Sequence, residues 1–125
     1  MTQRHALIVE DDLSNIEVLK RLLSKQDFYC TTITDSRYLE ETIDNVAPID
    51  VVFLDLKMPS INGYQVFQFL KHKLFITAPI IAYSVYVNEM VEARRVGFDG
   101  FLVKPVEIKD FPDQLERILN REPLW

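Results

Sequence analysis

The chain has 125 residues, 48% of them apolar and 26% charged, with a formal net charge of −5. That is enough apolar material for one core and one domain, and the acidic balance argues against bare nucleic-acid binding, which needs a basic face to displace counterions. The single cysteine, Cys30, excludes an internal disulfide framework, and no apolar run approaches the ~20 residues that cross a bilayer.

In chain order, the first apolar run, Ala6–Val9, predicts a strand, and it stops at Glu10-Asp11-Asp12. Ser14-x-x-Glu17 reads as a capping box for a first helix that presents Ile16, Leu19, Leu22 and Leu23 on one face. Tyr29–Ile33 is the second strand, with Cys30 in it as a small buried hydrophobe rather than a reactive thiol. Leu39, Ile43 and Val46 form a second helical stripe. The third strand, Val51–Leu54, runs straight into Asp55; Met58 is placed to plug the core, and Pro59 and Gly63 to shape the turn. Tyr64, Phe67 and Leu70 mark the third helix, and Ile80–Tyr83 the fourth strand, ending at Ser84. The fourth helix carries Asn88 as a cap, Glu89 and Glu92 early, Arg94 and Arg95 late, and Gly97 as its stop. Gly100–Val103 ends at Lys104-Pro105. Phe111, Leu115, Ile118 and Leu119 mark a fifth helix, with Pro112 in its first turn. Arg121–Trp125 reads as a surface extension, and His5 and His72 as ordinary surface residues.

The five strand runs are continuous apolar blocks without alternation. Such blocks are buried on both faces, as in a parallel sheet covered by helices. Five β–α units with right-handed crossovers give a three-layer α/β sandwich. Ligands of such sheets bind at the carboxyl ends of the strands. The residues found there are Glu10, Asp11, Asp55, Ser84 and Lys104. Taken singly, each has an ordinary explanation as a helix cap, a loop acid, a turn hydroxyl or a surface charge. Their joint placement at the ends of parallel strands is poorly explained that way.

Four motifs, IVEDD at Ile8–Asp12, DLKMPSING at Asp55–Gly63, Ser84 after PIIAY, and FLVKP at Phe101–Pro105, resemble the receiver domain of two-component response regulators. The resemblance covers essentially the whole chain. It implies a flavodoxin-like three-layer αβα sandwich, with a five-stranded parallel sheet in order 2-1-3-4-5 and five helices. It further implies one receiver domain over residues 1–125 with no output domain, in the cytoplasm. Asp55 would be the phosphoacceptor and Asp11 a direct ligand of Mg²⁺ or Mn²⁺. Glu10 would act on the metal through water, and the Lys57 main-chain carbonyl would complete the set. Ser84 would be the switch hydroxyl, Lys104 the partner of the phosphoryl group, and Phe101 an aromatic that rotates inward. The Lys104–Pro105 peptide is expected to be cis. The donor would be a histidine kinase or a histidine phosphotransfer protein. The output surface would be the face made by the fourth helix, fifth strand and fifth helix, offered to a downstream protein rather than to DNA or a membrane.

Three departures from the family pattern bear on function. Val85 follows Ser84 where a small residue is usual, which should narrow access to Asp55. Tyr86 and Lys57 stand where receivers tune the lifetime of the phosphoryl group, and Lys57 is also free to pair with Asp55. The Ser84–Gly97 span is short, so the fourth helix should be short or its loop tight. Three clustered carboxylates repel by ~4 kcal/mol per close pair at an effective dielectric near 20, which calls for a hard cation such as Mg²⁺. Two other readings stay open. One is a receiver-like interaction module that no longer uses phosphorylation. The other is a small Mg²⁺ phosphohydrolase with an Asp nucleophile, disfavoured because Lys57 stands where a second acid is needed. A flavin site is disfavoured because the Glu10-Asp11-Asp12 acids would repel the cofactor phosphate.

Overall fold

The computed structural model describes residues 3–46, 48–58 and 62–125. Among these, five parallel strands pair in the order β2-β1-β3-β4-β5. The strands are β1 (Arg4–Val9), β2 (Phe28–Ile33), β3 (Val51–Asp55), β4 (Ile80–Ser84) and β5 (Gly100–Val103). The helices are α1 (Leu13–Ser24), α2 (Leu39–Asp44), α3 (Gly63–Gln68), α4 (Met90–Val96) and α5 (Phe111–Leu119). This is the flavodoxin-like three-layer sandwich with strand order 2-1-3-4-5.

The apolar blocks explain the layers. Ala6, Ile8, Phe53 and Ile81 face one way, into a core closed by Leu19 and Leu23 of α1 and by Phe111, Leu115 and Ile118 of α5. Leu7, Val9, Val52, Leu54 and Ala82 face the other way and meet Leu39, Val66, Phe67 and Ala93 from α2, α3 and α4, with Leu70 from the turn that extends α3. β3, the central strand, is buried along its full length.

Several local expectations are corrected. The cap of α1 is Asp12, not Ser14: its Oδ1 accepts from the Ser14 (2.9 Å) and Asn15 (3.1 Å) amides, because a carboxylate already stands one residue before the first helical turn. Asn88 caps nothing; it lies in a 3₁₀ turn, Val87–Glu89, that has no side-chain cap and leads into α4. α4 itself has seven residues, as the short Ser84–Gly97 span predicts. α3 continues as a π turn over Phe69–Lys73. Met58 is half-buried and packs on the α3 side of the core, while the reading of Pro59 lies outside the described residues.

His5 is not a surface residue. It lies on the same face of β1 as Leu7 and Val9 and is buried. Its Nδ1 is 3.2 Å from the Pro48 carbonyl, its Nε2 is 2.7 Å from Thr31 Oγ1, and its ring stacks on Tyr29 at 4.4 Å. His72 is exposed. The tail is not a mere surface extension either, since Leu124 is 7% exposed and belongs to the core.

Candidate functional site

The carboxyl ends of β1, β3, β4 and β5 meet at one rim of the sheet. Glu10, Asp11, Asp12, Asn15, Asp55, Lys57, Ser84, Val85, Tyr86 and Lys104 line a hollow there of about 310 Å³. The register explains why: Leu54 pairs with Ala82 and Asp55 with Tyr83, so Asp55 ends β3 one step below Ser84. Ser84 in turn pairs with Val103, which puts Lys104 beside it. The Lys104 amide donates to the Ser84 carbonyl at 2.9 Å, and the Lys104–Pro105 peptide bond is cis.

The hollow is polar and open to solvent, with a buried floor. Glu10 is 1% exposed, Asp55 4% and Ser84 1%. The Lys104 ammonium contacts Glu10 Oε1 at 2.5 Å and Asp55 Oδ1 at 3.4 Å, and lies 4.7 Å from the centre of the Tyr83 ring. One buried cation thus serves two buried carboxylates. Burial pushes the Glu10 carboxyl above its ordinary range, and the adjacent Asp55 adds to the shift while Lys104 opposes it. Asp11, which is exposed, is also pushed up, by partial desolvation and by Glu10. The Tyr83 phenol is pushed up to about 12, chiefly by burial and then by the Glu10 and Asp55 charges. Main-chain donors answer part of this charge. The Asp11 amide donates to Glu10 Oε2 (3.1 Å) and the Lys57 amide to Asp55 Oδ1 (3.1 Å).

Glu10, Asp11 and Asp55 each offer a carboxylate oxygen, and these atoms lie within 4.8 Å of one another. A set of hard oxygen donors with one exposed member suits Mg²⁺, which keeps several waters. The residues present therefore fit the ion.

Gly63 is what lets the following loop leave the sheet. A Cβ there would stand 2.5 Å from the Asp55 carbonyl oxygen and 2.6 Å from Leu56 Cα, distances no side chain tolerates. The Gly63 amide also donates to the Leu56 carbonyl at 3.2 Å. The chain can thus turn into α3 directly behind the acid.

One sequence expectation changes here. Lys57 does not pair with Asp55 through its side chain. Its ammonium is 2.8 Å from Glu89 Oε1, and Glu89 Oε2 accepts from the Tyr64 hydroxyl at 2.8 Å. Residues 57, 64 and 89 are distant in sequence, and no local motif announces this network. Phe101 does not line the hollow and is buried, at 4% exposure. Val85 and Tyr86 both stand about half exposed at the mouth. The Ser84 Oγ accepts from the Tyr86 amide at 3.0 Å, which fixes the loop that carries them.

A parallel sheet in this order, with a carboxylate ending its central strand and a buried lysine facing it, defines a receiver. Residues 6–116 match the response regulator receiver domain family, and the chain belongs to that family, the phosphoacceptor switches of two-component signalling. Protein RcaC of Microchaete diplosiphon is 30% identical over 122 residues, which are 95% of this chain and 19% of RcaC. Response regulator SaeR of Staphylococcus aureus is 25% identical over 118 residues, 94% of this chain and 51% of SaeR. A CheY-like receiver domain from Methylobacillus flagellatus superposes with a TM-score of 0.81 at 28% identity, covering 94% of this chain and 99% of that one. The chain thus spans about half the length, or less, of these curated relatives. Among the described residues, no helix is long and apolar enough to cross a membrane.

Proposed function

We propose that Asp55 accepts a phosphoryl group from a phosphohistidine on a partner kinase or phosphotransfer protein, in a Mg²⁺-dependent reaction. The observation that carries this reading is the Lys104 ammonium 3.4 Å from Asp55 Oδ1, inside a hollow shared with Glu10 and Asp11. An Asp55 oxygen attacks phosphorus in line with the P–N bond; a P–O bond forms, and the P–N electron pair returns to the donor imidazole. A carboxylate nucleophile needs no general base. What the site must supply is positioning and compensation of charge. The Lys57 amide holds Asp55 Oδ1 in place. Lys104 moves from Glu10 toward the incoming phosphoryl oxygens, and Ser84 donates its hydroxyl to another. Glu10, Asp11 and Asp55, with the Lys57 main-chain carbonyl, would hold the metal, which when bound offsets the repulsion between the carboxylates and the phosphoryl group. Val85 and Tyr86 at the mouth restrict small donors and attacking water, favouring a protein donor and a long-lived phosphoprotein.

The readout is a change in the α4–β5–α5 face, the surface offered to a downstream protein. The opposing reading, a receiver-like module without phosphorylation, draws on Lys104 standing closer to Glu10 than to Asp55. Incubation with Mg²⁺ and either acetyl phosphate or a phosphorylated histidine phosphotransfer protein, followed by Phos-tag electrophoresis and intact mass, separates the two. The expected result is a single phosphoryl adduct, absent in Asp55→Asn and absent with EDTA. A wild-type chain left unmodified by both donors overturns the proposal.

A further inference from the structure

β5 is an edge strand, and an edge presents unpaired main-chain groups. Here a segment of the same chain covers it. α5 ends at Leu119 with Asn120 as its cap, and the next residue, Arg121, adopts φ +60, a left-handed conformation that usually selects glycine. The Arg121 amide donates to the Ile118 carbonyl (3.0 Å) and the Glu122 amide to the Arg117 carbonyl (2.9 Å), the two bonds of a Schellman stop. The Arg121 guanidinium is anchored on the Thr77 carbonyl at 2.5 Å, and lies 4.0 Å from Asp99. The chain is therefore turned sharply, by a residue that does not favour the turn, toward β5.

Beyond the turn, the last residues are seated at three points. Arg117 Nη2 donates to the Pro123 carbonyl at 2.6 Å. The Leu124 carbonyl accepts from the Phe101 amide at 2.8 Å, while its side chain enters the core on the α1–α5 side. Trp125 packs on the opposite side of the sheet, with the Arg94 guanidinium of α4 at 5.6 Å from its ring centre. Leu124 and Trp125 thus straddle the outer edge of β5. Gly100 makes room: a Cβ there would stand 3.1 Å from Leu124 Cβ and 3.2 Å from its carbonyl oxygen.

We propose that Pro123–Trp125 is a strap that occupies the outer edge of β5 at Phe101, so that this part of the α4–β5–α5 face is self-covered at rest while Val103 stays exposed, and that phosphorylation of Asp55 releases it. The trigger rests on the phosphoacceptor reading above; the covering does not. The link is short. Lys104 follows directly on β5, its amide is tied to Ser84, and its ammonium must leave Glu10 to meet a phosphoryl oxygen. That displacement acts on the strand whose Phe101 amide holds Leu124. Release uncovers the β5 edge at Phe101 and the seat beside Arg94.

Trp125 is the only tryptophan of the chain, so its emission reports the strap in the intact chain. At rest, acrylamide should quench it several-fold less than it quenches free tryptophanamide. Arg94→Ala, at an exposed position, should raise quenching without unfolding the domain, as far-UV circular dichroism would verify. Mg²⁺ with beryllofluoride, or a phosphodonor, should shift the emission to the red and bring quenching to the level of the variant. A Phos-tag gel on the phosphodonor samples reports Asp55 separately. Labelled Asp55 with unchanged Trp125 quenching overturns the release while leaving the phosphoacceptor reading intact. A resting Trp125 as accessible as tryptophanamide overturns the strap itself. An unlabelled Asp55 overturns the phosphoacceptor reading and the trigger together.

Discussion

Acids stand at both ends of this sheet, and the two ends use them in opposite ways. At the amino end, Asp50 Oδ2 accepts from the His5 amide (2.7 Å) and Asp99 Oδ2 from the Ile80 amide (2.8 Å). These are strand-start N–H groups, and each carboxylate meets a donor that needs it. At the carboxyl end, Glu10 and Asp55 meet each other, with one ammonium between them. Among the described residues the buried polar and charged ones are His5, Glu10, Asp55 and Ser84. Three of the four sit at the rim, where the requirements of the carboxylates exceed what the protein supplies. The amino end is satisfied and structural; the carboxyl end is left in need of further positive charge, and that need is its chemistry.

The largest expected effect of breaking this contrast is at Lys104. Lys104→Met leaves Glu10 and Asp55 buried without their cation and should cost roughly 3 kcal/mol in Mg²⁺-free buffer, read by urea denaturation. Millimolar Mg²⁺ should recover much of it, because an ion that binds only the folded site stabilises it. A loss that Mg²⁺ leaves untouched would erase the distinction between the two ends. Next is Asp50→Ala, which strands the His5 amide and should cost about 1–2 kcal/mol, with the same value with and without Mg²⁺. A smaller, purely kinetic effect is expected at the mouth: Val85→Ala should accelerate labelling by acetyl phosphate a few-fold, and equal rates would remove Val85 as a gate. The mildest test is Cys30, between the two ends. Burial raises its thiol to about 11. Its alkylation by iodoacetamide in the native protein should therefore be slow near neutral pH, should rise as pH approaches 11, and should accelerate in urea at fixed pH, as followed by intact mass.

The strands and the rim residues were legible because each is a local pattern: an apolar block followed by a polar residue. The convergence of Glu10, Asp55, Ser84 and Lys104 follows once the blocks are taken as parallel neighbours. What escaped was non-local or competitive. His5 directly precedes the Ala6–Val9 block, and β1 is buried from His5 onward, so extending the block back by one residue would have placed it inside. Asp12 and Ser14 both qualify as caps, and the carboxylate wins by its position next to Leu13. The Lys57–Glu89–Tyr64 network and the seat of Trp125 join segments far apart in the chain, where no spacing rule applies. The tail offered one clue, the apolar pair Leu124-Trp125 beside a strand that begins with Gly100.

The clasp on Glu89 has a mechanical consequence. Glu89 immediately precedes α4 and is held by Lys57 and by Tyr64, whose phenol is pushed above its ordinary range by burial and by that carboxylate. One end of α4 is moored to α3 and to the loop behind the acid. The other end stops at Gly97, and Phe98 just beyond it is buried and stacks on Phe67 of α3 at 4.3 Å. Both ends of α4 are thus fastened to α3, so the two helices are coupled, and a disturbance at the rim that reaches Lys57 would act on the pair together.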